Sequence, residues 1–547
     1  MQLFLAFVVA LSTTTALIPL LARWAPALGL NDRPGPRKVH TAPVPRVGGL
    51  AMAAGVLVPV LLTVPLIPAV RGILLGLLIL LFFGVWDDRA ALGYRTKFLG
   101  QVLACGICMA VGRVQIGDVT IGGIDLLPGP VATLVTFVFL IGVTNAVNLA
   151  DGLDGLAGGM VLLCLCAVAL FAAAAGKPNV TALCLIEGGA VLGFLRFNTH
   201  PARIFMGDSG SQVLGFSVGA LALLATQGEN STVSPALPLL LLGLPILDTL
   251  TAMVRRMRAG RSPFAADSNH LHHRLLALGF AHREAVATVY LLQVALVLLA
   301  YFLRFESDGE VIATFCAFSV LVLALLAWTS HSGWRLHEPD RTTGCIRLRM
   351  RSLISSPRLP QLALGVMTIC LGIYAAAVLA VTARVSPDVG VLSGAMLAAL
   401  FVLSIWRVGQ APLWIERAVA YVSVILLVYL DQTAHDKTVL ITTASWTLIA
   451  ITGAAAIVRF ALSPTRRFEL TALDLLVVFI AVVVPNLPGS FAIALPANLP
   501  GGVAKAVVLL YVVEMLLTVN FKPLVPRAFL ALTLAAIAGR ALIGISL

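Results

Sequence analysis

The sequence predicts an all-α polytopic membrane protein, with about 11 transmembrane helices in an N-terminal module and about 7 in a C-terminal one. Three observations predict it. Hydrophobic residues fill 59% of the 547 positions and charged residues 11%, and the mean hydropathy is +1.00, a balance that no water-soluble globule with an ordinary surface carries. Apolar runs of the roughly 20 residues needed to cross a bilayer recur along the whole chain. The basic residues collect in alternate short loops between those runs, as the positive-inside rule requires.

In order along the chain, the first run spans residues 2–22. No positive charge precedes it and Arg23 follows, so it reads as a span with its N-terminus outside rather than as a signal peptide. Further spans are predicted near 48–68, 71–86, 97–115, 128–147, 156–175, 181–197, 210–227, 235–255, 286–304 and 311–330. Alternation puts four basic loops on one side: Arg37, Lys38 and Arg46; Arg89, Arg95 and Lys97; Arg203; and Arg255, Arg256, Arg258 and Arg261. The opposite loops hold only Arg71, Lys177 and Arg304, so the first group is assigned to the cytoplasm.

Residues 1–330 thus form one membrane domain, and residues 331–360, with Arg335, Arg341, Arg347, Arg349, Arg351 and Arg358, a basic cytoplasmic linker. Residues 361–547 form a second multi-span module, with apolar runs near 361–383, 389–406, 413–430, 438–458, 470–486, 503–520 and 527–546. Its clearest intramembrane acids are Asp474 and Glu514, and it carries no motif that assigns a function. A net charge of +12 dispersed over many short loops argues against a nucleic-acid partner. Seven of the eight cysteines, all but Cys345, lie in apolar runs without ligand spacing, as small core residues do.

The chemistry must lie where a chain so poor in polar side chains concentrates them. Four islands stand out, all on the loops assigned to the cytoplasm. The third span ends in Asp87-Asp88-Arg89, with Lys97 following. Adjacent carboxylates at a membrane surface repel each other unless a cation or a proton relieves them, although a helix end paired with Arg89 and Lys97 would look the same. The fifth span ends in Asn145, Asn148, Asp151 and Asp154, interleaved with glycines. Carboxylate and amide oxygens suit Mg²⁺, which needs few protein ligands beside substrate phosphates, and four such side chains exceed what one helix cap uses. The third island runs from Asn198 and His200 through Phe205 and Asp208 to Ser211; Asp208 is placed to share a cation with Asn148 or Asp151, and a plain helix cap is the alternative. The fourth holds Asp248, the Arg255 to Arg261 cluster and His270, His272 and His273. Neighbouring His272 and His273 cannot face one zinc ion from a regular helix, and imidazoles beside arginines suit a polyanion.

These islands, with the loop from Asn31 through Lys38 to Gly49, resemble the polyprenyl-phosphate N-acetylhexosamine-1-phosphate transferases over roughly residues 1–330. The His270 to His273 form with Ser262-Pro263-Phe264 is more similar to enzymes that initiate O-antigen, enterobacterial common antigen or teichoic acid than to the MurNAc-pentapeptide transferase of peptidoglycan synthesis. The resemblance implies transfer of a HexNAc-1-phosphate, GlcNAc foremost, from a UDP-sugar to undecaprenyl phosphate, with release of UMP. It implies Mg²⁺, with Mn²⁺ as an alternative, held by Asn148 and Asp208. Asp87, Asp88, Lys97, His270, His272 and His273 become the catalytic candidates, and Lys38, Asp151, Asp154, Asn198, Phe205 and Arg261 the substrate-binding ones. Among these, Asp154 and Phe205 are expected at uracil. The family's usual role for Asp87 is deprotonation of the lipid phosphate. A phosphomonoester with its second pKa near about 6 is already mostly dianionic at neutral pH, which leaves Asp87 and Asp88 to orient the nucleophile or bind cation. The same resemblance implies a bacterial inner-membrane location with the site facing the cytoplasm, lipid as a partner, and leaves a homodimer open. A secondary transporter is the competing class, but it would place polar groups near the midplane, where Asp248 is the main example.

Overall fold

A computed structural model describes residues 2–32, 43–117, 119–121, 124–125, 127–227, 233–262, 270–336, 358–382, 385–405, 413–433, 439–462, 499–518 and 524–545. Lys38, the run at 470–486 and most of the linker lie outside them. The described residues divide into two compact units, 2–336 and 358–545. Among them, nine helices are long and apolar enough to cross a bilayer, eight in the first unit. The all-α membrane fold is as expected, and β-structure among the described residues is limited to two antiparallel pairs of two-residue strands, β1 (Asn31–Asp32) with β2 (Val44–Pro45) and β3 (Thr120–Ile121) with β4 (Ile124–Asp125), and one isolated bridge between Arg46 and Phe205.

The first unit contains α1 (Gln2–Leu28), α2 (Gly48–Thr63), α3 (Pro68–Ala90), α4 (Tyr94–Gly112), α5 (Gly129–Ala150), α6 (Leu156–Ala174), α7 (Pro178–Asn198), α8 (Gly207–Thr226), α9 (Pro238–Leu241), α10 (Gly243–Arg258), α11 (Leu271–Ala277), α12 (His282–Phe302) and α13 (Asp308–His331). Prolines open α3, α7 and α9, where the missing N–H is an orphan in any case. Burial sorts these helices into layers. In α8, 94% of the spanning window is buried and in α6 83%, whereas α13 buries 28% and turns the rest outward.

The central helix α8 is capped at both ends by side chains from elsewhere. Asp88 on α3 accepts from the backbone N–H groups of Asp208 (2.9 Å) and Ser209 (3.1 Å) at its N-terminus. Lys177, ahead of α7, donates to the carbonyls of Leu224 (2.9 Å), Ala225 (3.2 Å) and Gln227 at its C-terminus. An anion at the positive end and a cation at the negative end both stabilise the helix dipole, in a setting where unpaired backbone groups are costly. A basic residue on the sparsely charged face is thereby explained. Close packing of α3 on α8 needs Gly84, because a Cβ there would lie 2.4 Å from the Ser209 Cα.

The ninth predicted span, 235–255, departs from expectation: it breaks at Leu242 into α9 and α10. Pro245 has no N–H to give the Leu241 carbonyl one turn back. That carbonyl accepts instead from the Gln293 side chain of α12 (2.8 Å) and from the Cys164 thiol of α6 (3.2 Å).

In the second unit the described helices are α14 (Arg358–Val381), α15 (Pro387–Ile405), α16 (Leu413–Thr433), α17 (Val439–Leu462), α18 (Leu499–Thr518) and α19 (Leu524–Ile545). Its most polar interior feature was not singled out from sequence. Lys505 on α18 pairs with Asp431 on α16 at 2.7 Å, both about 3% exposed, and Ser445 on α17 accepts from the same ammonium at 2.7 Å. Buried charges in apolar surroundings persist when they are paired in this way.

Candidate active site

Four segments bring polar residues together in the first unit: the C-terminal ends of α3 and α5, the N-terminus of α8, and the start of α11. Their hub is Lys97, near the start of α4. Its ammonium lies 2.5 Å from Asp87 Oδ2 and 2.7 Å from Asp208 Oδ2, so one cation bridges two carboxylates on helices far apart in sequence. The other Asp87 oxygen accepts from the Leu92 N–H at 2.6 Å, which closes the turn between α3 and α4. Asn148, at the end of α5, donates to Asp208 Oδ1 at 3.3 Å and to the Ser211 hydroxyl at 2.7 Å.

Behind this layer lies a buried amide ladder. Gln101 exchanges hydrogen bonds with Asn145 (2.8 and 3.1 Å) and donates to Gln212 at 3.2 Å. Asn145 therefore supports the site from below. Gln101 and Gln212, which the sequence reading missed, carried a signal: each follows a site residue, Lys97 or Asp208, by one helical turn, on the same face.

The paired acids separate in role. Asp87 faces Lys97. Asp88, expected among the catalytic groups, is turned away: its side chain is 1% exposed, and besides the two backbone N–H groups of α8 it accepts from the Ser209 hydroxyl at 2.7 Å. Helical geometry requires this division, because successive side chains point about 100° apart.

Asp248 acts on α11 as Asp88 does on α8. Its carboxylate accepts from the Leu271 N–H at 2.7 Å and holds His270 Nδ1 at 3.0 Å, so this acid anchors the histidine motif. His272 is 3% exposed, and its Nε2 is buried with no hydrogen-bond partner among the described residues, facing the turn after α5 so closely that a Cβ on Gly152 would lie 2.2 Å away. Burial, with His273 beside it, lowers the His272 pKa to about 4, leaving a neutral imidazole. His273 is exposed and lines a different surface. That surface is a groove of about 1150 Å³ between α10 and α13, with Leu250, Val254 and Val320 along it and Arg255, Arg258 and Arg274 at its polar end.

Of the expected substrate contacts, Asp151 stands beside the hub. Its burial and then the nearby carboxylates of Asp208, Asp88 and Asp154 push its pKa up to about 7, a mark of excess negative potential that a cation would relieve. Asp154 pairs with His200 Nδ1 at 2.8 Å and accepts from the Ala202 N–H at 3.0 Å. Phe205 is half-buried and joins the first loop to α8: its N–H donates to the Pro45 carbonyl (2.9 Å) and its own carbonyl accepts from Gly48 (3.0 Å). Asn198, expected at the substrate, is held by the protein in this structure. It is 2% exposed, with its amide oxygen accepting from Gly155 N–H and its amide nitrogen donating to the Ile204 carbonyl, both at 2.9 Å, so it staples two loops together. Arg261 is exposed, just beyond the end of α10.

The oxygen donors fit the cation that the sequence suggested. Asp208 and Asn148 are adjacent, in a cluster of carboxylates that already gathers one ammonium, and hard oxygen ligands with room for water and phosphate suit Mg²⁺ or Mn²⁺.

A family-wide sequence profile described as glycosyl transferase family 4 matches residues 70–226, from α3 to the end of α8. A probable undecaprenyl-phosphate N-acetylglucosaminyl 1-phosphate transferase of Bacillus subtilis is 37% identical over 293 residues, covering 53% of this chain and 82% of that one. The decaprenyl-phosphate N-acetylglucosaminephosphotransferase of Mycolicibacterium smegmatis is 38% identical over 290 residues, covering 47% and 71%. The undecaprenyl-phosphate alpha-N-acetylglucosaminyl 1-phosphate transferase of Salmonella typhimurium is 31% identical over 284 residues, covering 51% and 77%. On these matches the chain belongs to glycosyl transferase family 4, among its polyprenyl-phosphate N-acetylhexosamine-1-phosphate transferases.

Proposed function

We propose that this chain transfers GlcNAc-1-phosphate from UDP-GlcNAc to undecaprenyl phosphate at the cytoplasmic face of a bacterial inner membrane, releasing UMP and initiating a cell-envelope glycan. The observation that carries the reading is the continuous chain Asp87–Lys97–Asp208–Asn148, with the buried His272 nitrogen facing the turn beside it. The names of the relatives support the sugar and the class of acceptor.

In the reaction, an oxygen of the lipid phosphate forms a bond to the sugar-linked phosphorus of the donor. The bond from that phosphorus to the UMP oxygen breaks, and UMP leaves with the electron pair. The attacking phosphomonoester is mostly dianionic at neutral pH, so no proton has to be removed first. One diphosphate bond replaces another, so the reaction is readily reversible. Several negative charges meet in a site already rich in carboxylates, and catalysis consists of positioning them and neutralising the charge between them. Mg²⁺ held by Asn148 and Asp208 would supply charge neutralisation at the diphosphate. Lys97 adds a second cation one contact away and Asp87 fixes its position. The neutral His272 imidazole would donate its ring N–H to a phosphate oxygen. The groove suits the acceptor, its apolar walls for the isoprenoid and its arginines and His273 for the phosphate.

The test offers UDP-GlcNAc, UDP-GalNAc and UDP-MurNAc-pentapeptide in parallel to the purified full chain with undecaprenyl phosphate. UMP release is expected from UDP-GlcNAc. Preference for another donor revises the sugar, and release from none overturns the reading.

A further inference from the structure

We propose that Asp154, His200 and His282 form a transition-metal site of the Zn²⁺ type, separate from the oxygen-lined cation site at Asn148 and Asp208. Three segments supply it: the turn between α5 and α6, the α7–α8 connection and the first residue of α12. Each residue offers one ligand atom, and these atoms all lie within 4.8 Å of one another, the one such grouping of His, Cys, Asp and Glu among the described residues.

The contacts within the group favour a nitrogen-rich metal site. His200 Nδ1 is already 2.8 Å from Asp154 Oδ2, and the His200 and His282 rings stack with centroids 4.0 Å apart and planes 23° from parallel. The Ala202 N–H holds the same Asp154 oxygen at 3.0 Å, and His282 Nε2 is 3.3 Å from the Asp154 carbonyl, so the backbone orients both partners. Tetrahedral zinc with ligands at about 2.1 Å separates its donors by roughly 3.4 Å, within reach of small side-chain rotations from this arrangement.

Two imidazoles and a carboxylate suit Zn²⁺, Co²⁺, Ni²⁺ or Cu²⁺, whereas Mg²⁺ prefers an all-oxygen shell. The two clusters therefore select different ions. Three protein ligands leave a fourth position open, as in zinc sites that exchange a water for another ligand. All three side chains are half-buried, so an ion can enter from the face that carries the rest of the site.

A consequence for the reaction rests on the transferase reading, in which Asp154 lies at the donor nucleotide. An ion bound to its carboxylate would then compete with UDP-GlcNAc and inhibit transfer.

The experiment uses the tag-free full-length protein in detergent with Mg²⁺ in excess. Zn²⁺ is titrated by calorimetry, and the shell of the Zn-loaded protein is read by X-ray absorption. One equivalent with two imidazoles and a carboxylate oxygen is expected, weakened at least tenfold in His200→Gln and in His282→Gln and unchanged in His273→Gln. An oxygen-only shell, no retained Zn²⁺, or binding that His273→Gln removes would overturn the site. The absorption result needs no variant, so a misfolded substitution does not obscure it. In the accompanying assay Zn²⁺ is expected to raise the KM for UDP-GlcNAc. Binding with no effect on KM keeps the metal site and contradicts the placement of Asp154 at the donor.

Discussion

Asp88, near the C-terminus of α3, holds the backbone N–H of Asp208, at the start of α8, at 2.9 Å, so one acid of the adjacent pair fixes the position of the acid proposed to bind the cation. Its neighbour Asp87 reaches the same Asp208 from the other side, through Lys97. Two consecutive carboxylates thus serve one ligand in two ways, one through the backbone and one through charge.

From this division we expect Asp88→Asn and Asp87→Asn to differ in kind. Asparagine at 88 keeps one acceptor oxygen but weakens the charge-assisted cap of a buried helix, with a loss of stability of about 1–3 kcal/mol. Activity falls with it. Asparagine at 87 leaves the α8 cap intact, so thermal unfolding in detergent should change little while UMP release falls by about 100-fold or more. Equal unfolding temperatures for the two variants would contradict the separation.

Lys177 makes the corresponding prediction at the other end of α8. Lys177→Met removes the donor to three carbonyls and the cation at the negative helix end. It should lower stability by roughly 1 kcal/mol. The site is at the opposite end, so the KM for the donor should be unchanged; a change in KM with no loss of stability would count against the capping role.

Asp248→Asn tests the anchoring of the histidine motif. Residues that orient a ligand-binding side chain typically change affinity or rate by 10–100-fold when removed, and a loss of this size in UMP release is expected. A transporter-like role for Asp248 would leave that reaction untouched.

His272 carries the pH dependence. Its folded pKa is depressed to about 4, below the ordinary histidine value of 6.5, so the unfolded state takes up the proton more readily. Its contribution to stability is present above pH 6.5 and is lost as the pH falls towards 4. Thermal unfolding should therefore occur at progressively lower temperature from about pH 7 to about pH 5, and His272→Gln should flatten that slope. An unchanged slope would mean that His272 takes up its proton equally readily in the folded and the unfolded chain.

Apolar runs and alternating charge made the helices legible, because a bilayer leaves the backbone few alternatives. The break at Leu242 was visible in principle: Pro245 inside an apolar run removes one hydrogen bond, but only the tertiary fold shows that Gln293 and Cys164 take the freed carbonyl. Within the site, the residue types were legible and their division of work was not. Asp88 and Asn198 are as polar as Asp87 and Asn148, yet Asp88 holds the backbone of a helix end and Asn198 joins two loops, while Asp87 and Asn148 meet the charged groups Lys97 and Asp208. Whether a carboxylate faces a substrate or a helix end depends on rotation about the helix and on what packs opposite, neither of which a motif records. His282 went unnoticed for the same reason, since it joins His200 and Asp154 only across more than eighty residues of chain.

The most direct measurement is UMP release by the purified full chain from UDP-GlcNAc and undecaprenyl phosphate as Mg²⁺ is varied, with Asp208→Asn beside the unaltered protein. The account predicts release that requires both the lipid phosphate and Mg²⁺, and a loss of at least about 100-fold in the variant at every Mg²⁺ concentration. Release that continues without the metal, or an Asp208→Asn protein as active as the original, would contradict it.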